Sequence, residues 1–154
     1  MAKRSAGLLM YRRRDGQVEV LLIHPGGPFW SRKDDGAWSI PKGEFTDEEA
    51  PFDAALREFQ EETGFTASGN FVALAPIRQA GGKIVHAWVV EGGCDAAAVK
   101  SNTFSMEWPA HSGQRRTFPE VDRAGWFSLA EAEVKILNSQ RPLLEQLRAI
   151  LGEG

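Results

Sequence analysis

The stretch Gly43–Phe65, GEFTDEEAPFDAALREFQEETGF, constrains this chain more than any other, because it dictates a helix and also what that helix carries. Glu49 follows Gly43 after five residues; after seven more come Arg57, Glu58, an apolar residue, any residue, Glu61, Glu62, any residue, Gly64 and a last apolar residue. Pro51 suits the first turn of a helix and Gly64 the left-handed position just past its end, so the spacing predicts a helix over Pro51–Thr63. Ala50 is a poor N-cap, partly compensated by Glu48 and Glu49 near the positive end of the helix dipole. Phe52, Ala55, Leu56 and Phe59 recur at helical spacing and are expected to face a sheet. Glu58, Glu61 and Glu62 stand at i, i+3 and i+4, so their carboxylates emerge as neighbours on another face.

Like charges so placed cost roughly 0.2–0.5 kcal/mol per pair even on an exposed surface. A hard divalent cation reverses the sign. Oxygen-only ligands select magnesium, calcium or manganese over zinc or copper, and magnesium commonly combines one or two carboxylates with substrate phosphates. That habit points to a phosphate ester or anhydride as substrate. A glutamate-rich helical face is ordinarily only solvated surface, but seven fixed residues and two apolar ones in this spacing arise by chance on the order of once in ten million chains of this size.

The stretch resembles the Nudix box, the signature of the Nudix hydrolase family, and matches it at every specified position. The resemblance implies an α/β fold: a single-domain α/β/α sandwich over residues 1–154 with a mixed central sheet, the box forming a loop–helix–loop. It implies Glu58, Glu61 and Glu62 as metal ligands, one of them a general base in some members, with Mg2+ the expected cofactor and Mn2+ a substitute. The carbonyl just before the box glycine, here that of Lys42, is often a further metal ligand in the family, and the Lys42 ammonium is a candidate phosphate contact. Arg57 reads as an orienter, because its planar fork can hold Glu49 or a ligand carboxylate bidentately. The family adds a carboxylate from a downstream loop; Glu120, in FPEVDRAGWF, is first choice and Glu107 second.

Arg78, Lys83 and the adjacent Arg115 and Arg116 are candidate cations for the rest of a polyphosphate, Arg115 and Arg116 first. Trp30, Trp38 and Trp108 lie near loops where they could stack on a base, with Trp38 the named substrate contact, whereas Trp88 and Trp126 sit in strand-like runs and read as core. His86 alternates with apolar neighbours and reads as structural. The segment WSIPKGEF is similar to the approach to the box in members acting on dinucleoside polyphosphates. Those compounds rank first as substrates, then nucleoside triphosphates, then nucleotide sugars. The alternative is a non-catalytic Nudix-like nucleotide sensor.

With 154 residues and 42% hydrophobic content the chain can bury a real core as one domain. A net charge of −3 argues against general nucleic-acid binding. The single Cys94 cannot form an internal disulfide, which fits a reducing compartment. Ala6–Tyr11 is too short for a signal-peptide core, and no segment approaches the roughly 18 apolar residues of a membrane helix. A cytoplasmic protein is expected, monomer or homodimer, whose partner is a small nucleotide rather than a membrane.

Along the chain, Gly7–Tyr11 and Val18–His24 are apolar runs joined by Asp15-Gly16, which predicts a hairpin of central strands. His24–Gly36 reads as a loop, Trp38–Pro41 as a short strand feeding the box, and Phe71–Ile77 and Lys83–Val90 as strands linked through Gly81-Gly82. Asn102–Phe118 reads as a long loop with one short strand, and Gly125–Leu129 as the last strand. A short helix through Val134 and an amphipathic helix over Arg141–Leu151 complete the chain.

Overall fold

Asp15 and Gly16 both adopt positive φ, 53° and 80°, and their turn closes a hairpin between β1 (Arg4–Arg14) and β2 (Gln17–Pro25), with Arg14 opposite Gln17. Positive φ at both central residues gives the turn whose twist matches that of paired strands, and Asp-Gly tolerates it. The computed structural model describes residues 3–152; the remainder of the expected 1–154 domain lies outside the described residues. After the hairpin come β3 (Lys42–Phe45), α1 (Pro51–Thr63), β4 (Phe71–Ala73), β5 (Ile77–Arg78) and β6 (Ile84–Glu91). They are followed by β7 (Thr103–Glu107), β8 (Arg115–Pro119), β9 (Val121–Ser128), α2 (Leu129–Lys135) and α3 (Arg141–Leu151).

The main sheet is mixed and runs β4-β6-β1-β2-β9, with β3 paired to β1 and β5 to β6. β1 runs parallel to β6 and antiparallel to β2 and β3. Successive side chains on a strand point to opposite faces: Leu8 and Leu21 pack under α1 with Ala55 and Phe59, while Leu9 and Leu22 pack with Leu143, Leu144 and Leu147 of α3. Covered on both faces, the central strands read as nearly continuous apolar runs. The result is the expected α/β/α sandwich.

α1 keeps its predicted bounds. Pro51 starts it, Ala50 offers no side-chain cap, and Gly64 ends it at φ 81° with its N–H bonded to the Gln60 carbonyl at 2.8 Å. α2 has a full capping box between Ser128 and Glu131. Three local expectations change. Trp38–Pro41 forms only isolated bridges, Ser39 to Ile23 and Trp38 to Ile136; regular pairing with β1 begins at Lys42, after Pro41, which lacks an N–H to donate. The run Phe71–Ile77 divides into β4 and β5, because the main chain of Ala75 leaves the sheet to exchange two hydrogen bonds with the Gln146 side chain. The segment expected as a loop, Asn102–Phe118, holds a two-stranded hairpin of β7 and β8, with Phe104 opposite Phe118.

Fully buried Gln140 ties the start of α3 to the segment before β3: its Oε1 accepts from Ile40 N (3.1 Å) and its Nε2 donates to Ser39 Oγ (3.0 Å).

Candidate active site

The carboxylates of α1 are held by one guanidinium. Arg57 Nε and Nη2 donate to the two oxygens of Glu49 at 2.8 and 2.9 Å, while Nη1 donates to Glu58 Oε1 at 2.8 Å and Glu61 Oε2 at 3.0 Å. The planar fork fits two carboxylate oxygens at once, so Arg57 couples the loop before α1 to the face that carries Glu58 and Glu61. Glu49 pulls the Arg57 pKa above its ordinary range, and Arg57 in turn lowers that of Glu49. Gly43 is needed for a steric reason: a Cβ there would overlap the Glu58 carboxylate, which is 8% exposed. Glu62 turns toward β3, where Oε1 accepts from Lys42 N at 3.0 Å.

Burial sets the electrostatics. It pushes the Glu62 pKa up to about 8, with the charges of Glu58 and Glu120 acting in the same direction against the Lys42 N–H. Burial also raises Glu58, to which Glu61 and Glu120 add, and raises Glu120, to which Glu61 adds. Burial lowers the Lys42 ammonium, opposed chiefly by Glu62. The carboxylates of α1 and Glu120 therefore feel one another as a patch of excess negative charge, with Lys42 at its edge.

Glu62, Lys42 and Glu120 line a cavity of about 200 Å³ with Ile23, Pro25, Trp30, Ala37, Ser39 and Leu137. That is smaller than the roughly 300–1,000 Å³ of most small-molecule pockets, so it suits one end of a ligand whose remainder lies over α1. A larger surface cavity, about 710 Å³, lies by the start of β1. Its charges are already matched, Arg4 with Asp47 and both Lys3 and Lys83 with Glu44, and it contains none of the α1 carboxylates. The smaller cavity has the chemistry.

The structure thus brings together Glu58, Glu61, Glu62, Arg57, Lys42 and Glu120. Trp38 is placed elsewhere: 6% exposed, it packs edge-on to His24 and Phe127 and donates its indole N–H to Asp34. It is a core side chain, and the aromatic wall of the cavity is Trp30. Glu107 spends both oxygens on the turn of the β7–β8 hairpin, accepting from His111 N and Gly113 N. Arg115 and Arg116 are exposed on β8, away from the cavity lining, with Arg115 donating to Ser105. His86 packs half-buried against Phe45. Sequence reasoning missed His24, fully buried beside the cavity wall; its signal was a histidine ending an apolar strand just before a Pro-Gly-Gly loop.

Among the described residues, no three carboxylate, imidazole or thiol groups already converge as a metal cage. Arg57 lies between Glu58 and Glu61, and Glu62 is drawn to the main chain. The donor set nevertheless fits a hard divalent cation, being all oxygen and carrying mutually repelling charge that a cation would relieve.

Asymmetrical bis(5'-nucleosyl)-tetraphosphatase of Caenorhabditis elegans is 35% identical over 66 residues, 43% of this chain and 44% of that protein; the match spans less than half the length of this relative. A crystal structure of a C. elegans Ap4A hydrolase binary complex superimposes with a TM-score of 0.66 at 23% identity, covering 99% of this chain and all of that one. The NUDIX domain of Shewanella oneidensis NrtR, complexed with ADP ribose, gives 0.68 at 20% identity, covering 98% and 89%. At these identities the two structures speak to fold. The sequence profile of the NUDIX domain matches residues 1–147; with that span and the box it contains, the chain belongs to the Nudix family.

Proposed function

We propose that the protein is a divalent-metal-dependent Nudix pyrophosphohydrolase that cleaves a phosphoanhydride in a nucleoside diphosphate-linked compound, with magnesium as the working ion. The observation that carries this reading is the row of α1 carboxylates, Glu58 and Glu61 held by Arg57 and Glu62 lining a cavity that also presents Lys42, Trp30 and Glu120. Dinucleoside polyphosphates rank first as substrates and nucleoside triphosphates second. The WSIPKGEF segment and the tetraphosphatase likeness support that order.

Glu58, Glu61 and Glu62 would hold the metal, which when bound neutralises phosphate charge and lowers the pKa of coordinated water. The chain's own residues supply the rest. Arg57 keeps Glu58 and Glu61 in one orientation, and Gly43 leaves room for the Glu58 carboxylate. The Lys42 ammonium meets phosphate oxygens, and Trp30 packs against a base. Glu120, its pKa raised by burial, accepts the proton of the attacking water. As the water oxygen bonds to phosphorus, the bridging P–O bond breaks and the second phosphate leaves as its anion.

The test is turnover by purified protein of diadenosine tetraphosphate, the nucleoside triphosphates, ADP-ribose and nucleotide sugars, with magnesium and with chelator. Metal-dependent cleavage of a member of the panel is expected. If none is cleaved at enzyme-like rates, the non-catalytic nucleotide-sensor reading replaces this one.

A further inference from the structure

His24 is the penultimate residue of β2, next to the Pro25 of the cavity wall, and its side chain is fully buried. Both ring nitrogens meet acceptors. Nδ1 lies 2.8 Å from Asp122 Oδ1, and Nε2 lies 2.6 Å from the carbonyl oxygen of Lys33. A carbonyl has no proton to give, and Asp122 is a solvent-reached carboxylate, 32% exposed with Arg123 Nε at 3.9 Å. A neutral imidazole has one N–H only, so two such contacts require both nitrogens to be protonated. An imidazolium here would have what a buried charge needs, an opposite charge and a hydrogen bond on each donor. Its other close neighbour is the Trp38 ring, at 5.2 Å.

The charged groups around His24 divide by element. β9 supplies Asp122 and Arg123, whose guanidinium also lies over the Trp38 ring at 5.3 Å. The loop supplies Asp34, bonded to the Trp38 indole, and α2 supplies Lys135, bonded to Asp34. The Lys33 ammonium points away, lying over the Trp30 ring at 5.0 Å.

The two partners of His24 lead to opposite walls of the cavity. Lys33 N donates to the Trp30 carbonyl at 2.9 Å, so fixing Lys33 fixes the turn that presents Trp30. Asp122 is two residues from Glu120, whose carbonyl accepts from Gly26 N at 2.9 Å. We propose that His24 is a doubly protonated positioning residue: its imidazolium ties the Lys33 carbonyl to the Asp122 carboxylate and so sets the Trp30 wall of the cavity against the Glu120 wall. The consequence for ligand choice rests on the functional reading above; the protonation and the clamp do not.

Long-range proton–nitrogen spectra of the 15N-labelled full-length protein at neutral pH are expected to show both His24 nitrogens protonated. A single pyridine-type nitrogen on His24 overturns the proposal. His24→Gln can keep the donor toward Lys33, whereas His24→Asn can keep only the one toward Asp122. His24→Asn, which loses the Lys33 end, should speed amide exchange across residues 27–36, whereas His24→Gln, which loses the Asp122 end, should speed it across residues 120–123; each should raise KM for diadenosine tetraphosphate about 10-fold with kcat within about 3-fold. The same pattern of exchange in both variants would mean simple loss of packing and sink the idea. If the wild-type protein cleaves no compound, the functional reading fails while spectra and exchange still decide the role of His24.

Discussion

The two sides of the candidate site are built in opposite ways. The proposed metal side comes from one short piece of chain: Gly43, Glu49, Arg57, Glu58, Glu61 and Glu62 all lie in β3, α1 or the loop between them, and helical spacing alone makes neighbours of the glutamates. The ligand side is assembled from distant segments, with Trp30 from the loop after β2, Glu120 from the link between β8 and β9, and Leu137 from the end of α2. Main-chain bonds such as Gly26 N to the Glu120 carbonyl and Leu137 N to the Trp38 carbonyl, together with the side chains of His24 and Gln140, hold it together. Under the function proposed above, the helix side would set the reaction and the assembled wall would set the ligand.

The largest expected effect is on the metal side. Glu62→Gln keeps size and removes charge, and should lower kcat by about 100-fold or more. The same variant should be more stable than the wild type in chelator at neutral pH. Glu62 loses its proton near its ordinary value of 4.5 when unfolded but at about 8 when folded, so the folded state binds more protons between those values and stability falls as pH rises through them. Thermal unfolding should show a Tm gain of about 2–5 °C, and a lower Tm would contradict the burial cost assigned to this carboxylate. Glu120→Gln comes next, with kcat down about 100-fold, the low end for loss of a general base.

Trp30→Ala tests the division itself. KM should rise about 10-fold while kcat stays within about 3-fold, the mark of lost ground-state binding; a kcat loss like that of Glu62→Gln would erase the distinction between the two sides. The smallest effect is expected from Glu107→Gln, within about 2-fold in kcat/KM, because its oxygens serve only the hairpin turn. If activity fell there and survived in Glu120→Gln, the distant carboxylate would have to be reassigned.

The same contrast governs what could be read from the sequence. α1 was legible to its ends because Pro51 and Gly64 punctuate it chemically, and the first hairpin because Asp15-Gly16 dictates its turn. The β7–β8 hairpin was not, since each strand is largely exposed and its main apolar anchor is the Phe104–Phe118 pair, which appears only when the strands meet. Trp38 looked like a loop aromatic because it follows Gly36; its burial comes from His24, Phe127 and the bridge to Ile136, all remote in sequence. Glu120 could be nominated from its place before β9, but that it shares a cavity with Glu62 required the fold.

Gln140 gives the molecule an order of completion. The amide that anchors Ile40 and Ser39, immediately upstream of β3, comes from near the end of the chain. During synthesis every box carboxylate is made long before that anchor exists. A fragment that packed around the box without that anchor would bury the Ile40 N–H with no acceptor, at a cost of about 1–3 kcal/mol. A chain stopped short of Gln140 would therefore carry the whole signature and still hold it loosely, so a ribosome-bound fragment can possess the motif before it possesses the site.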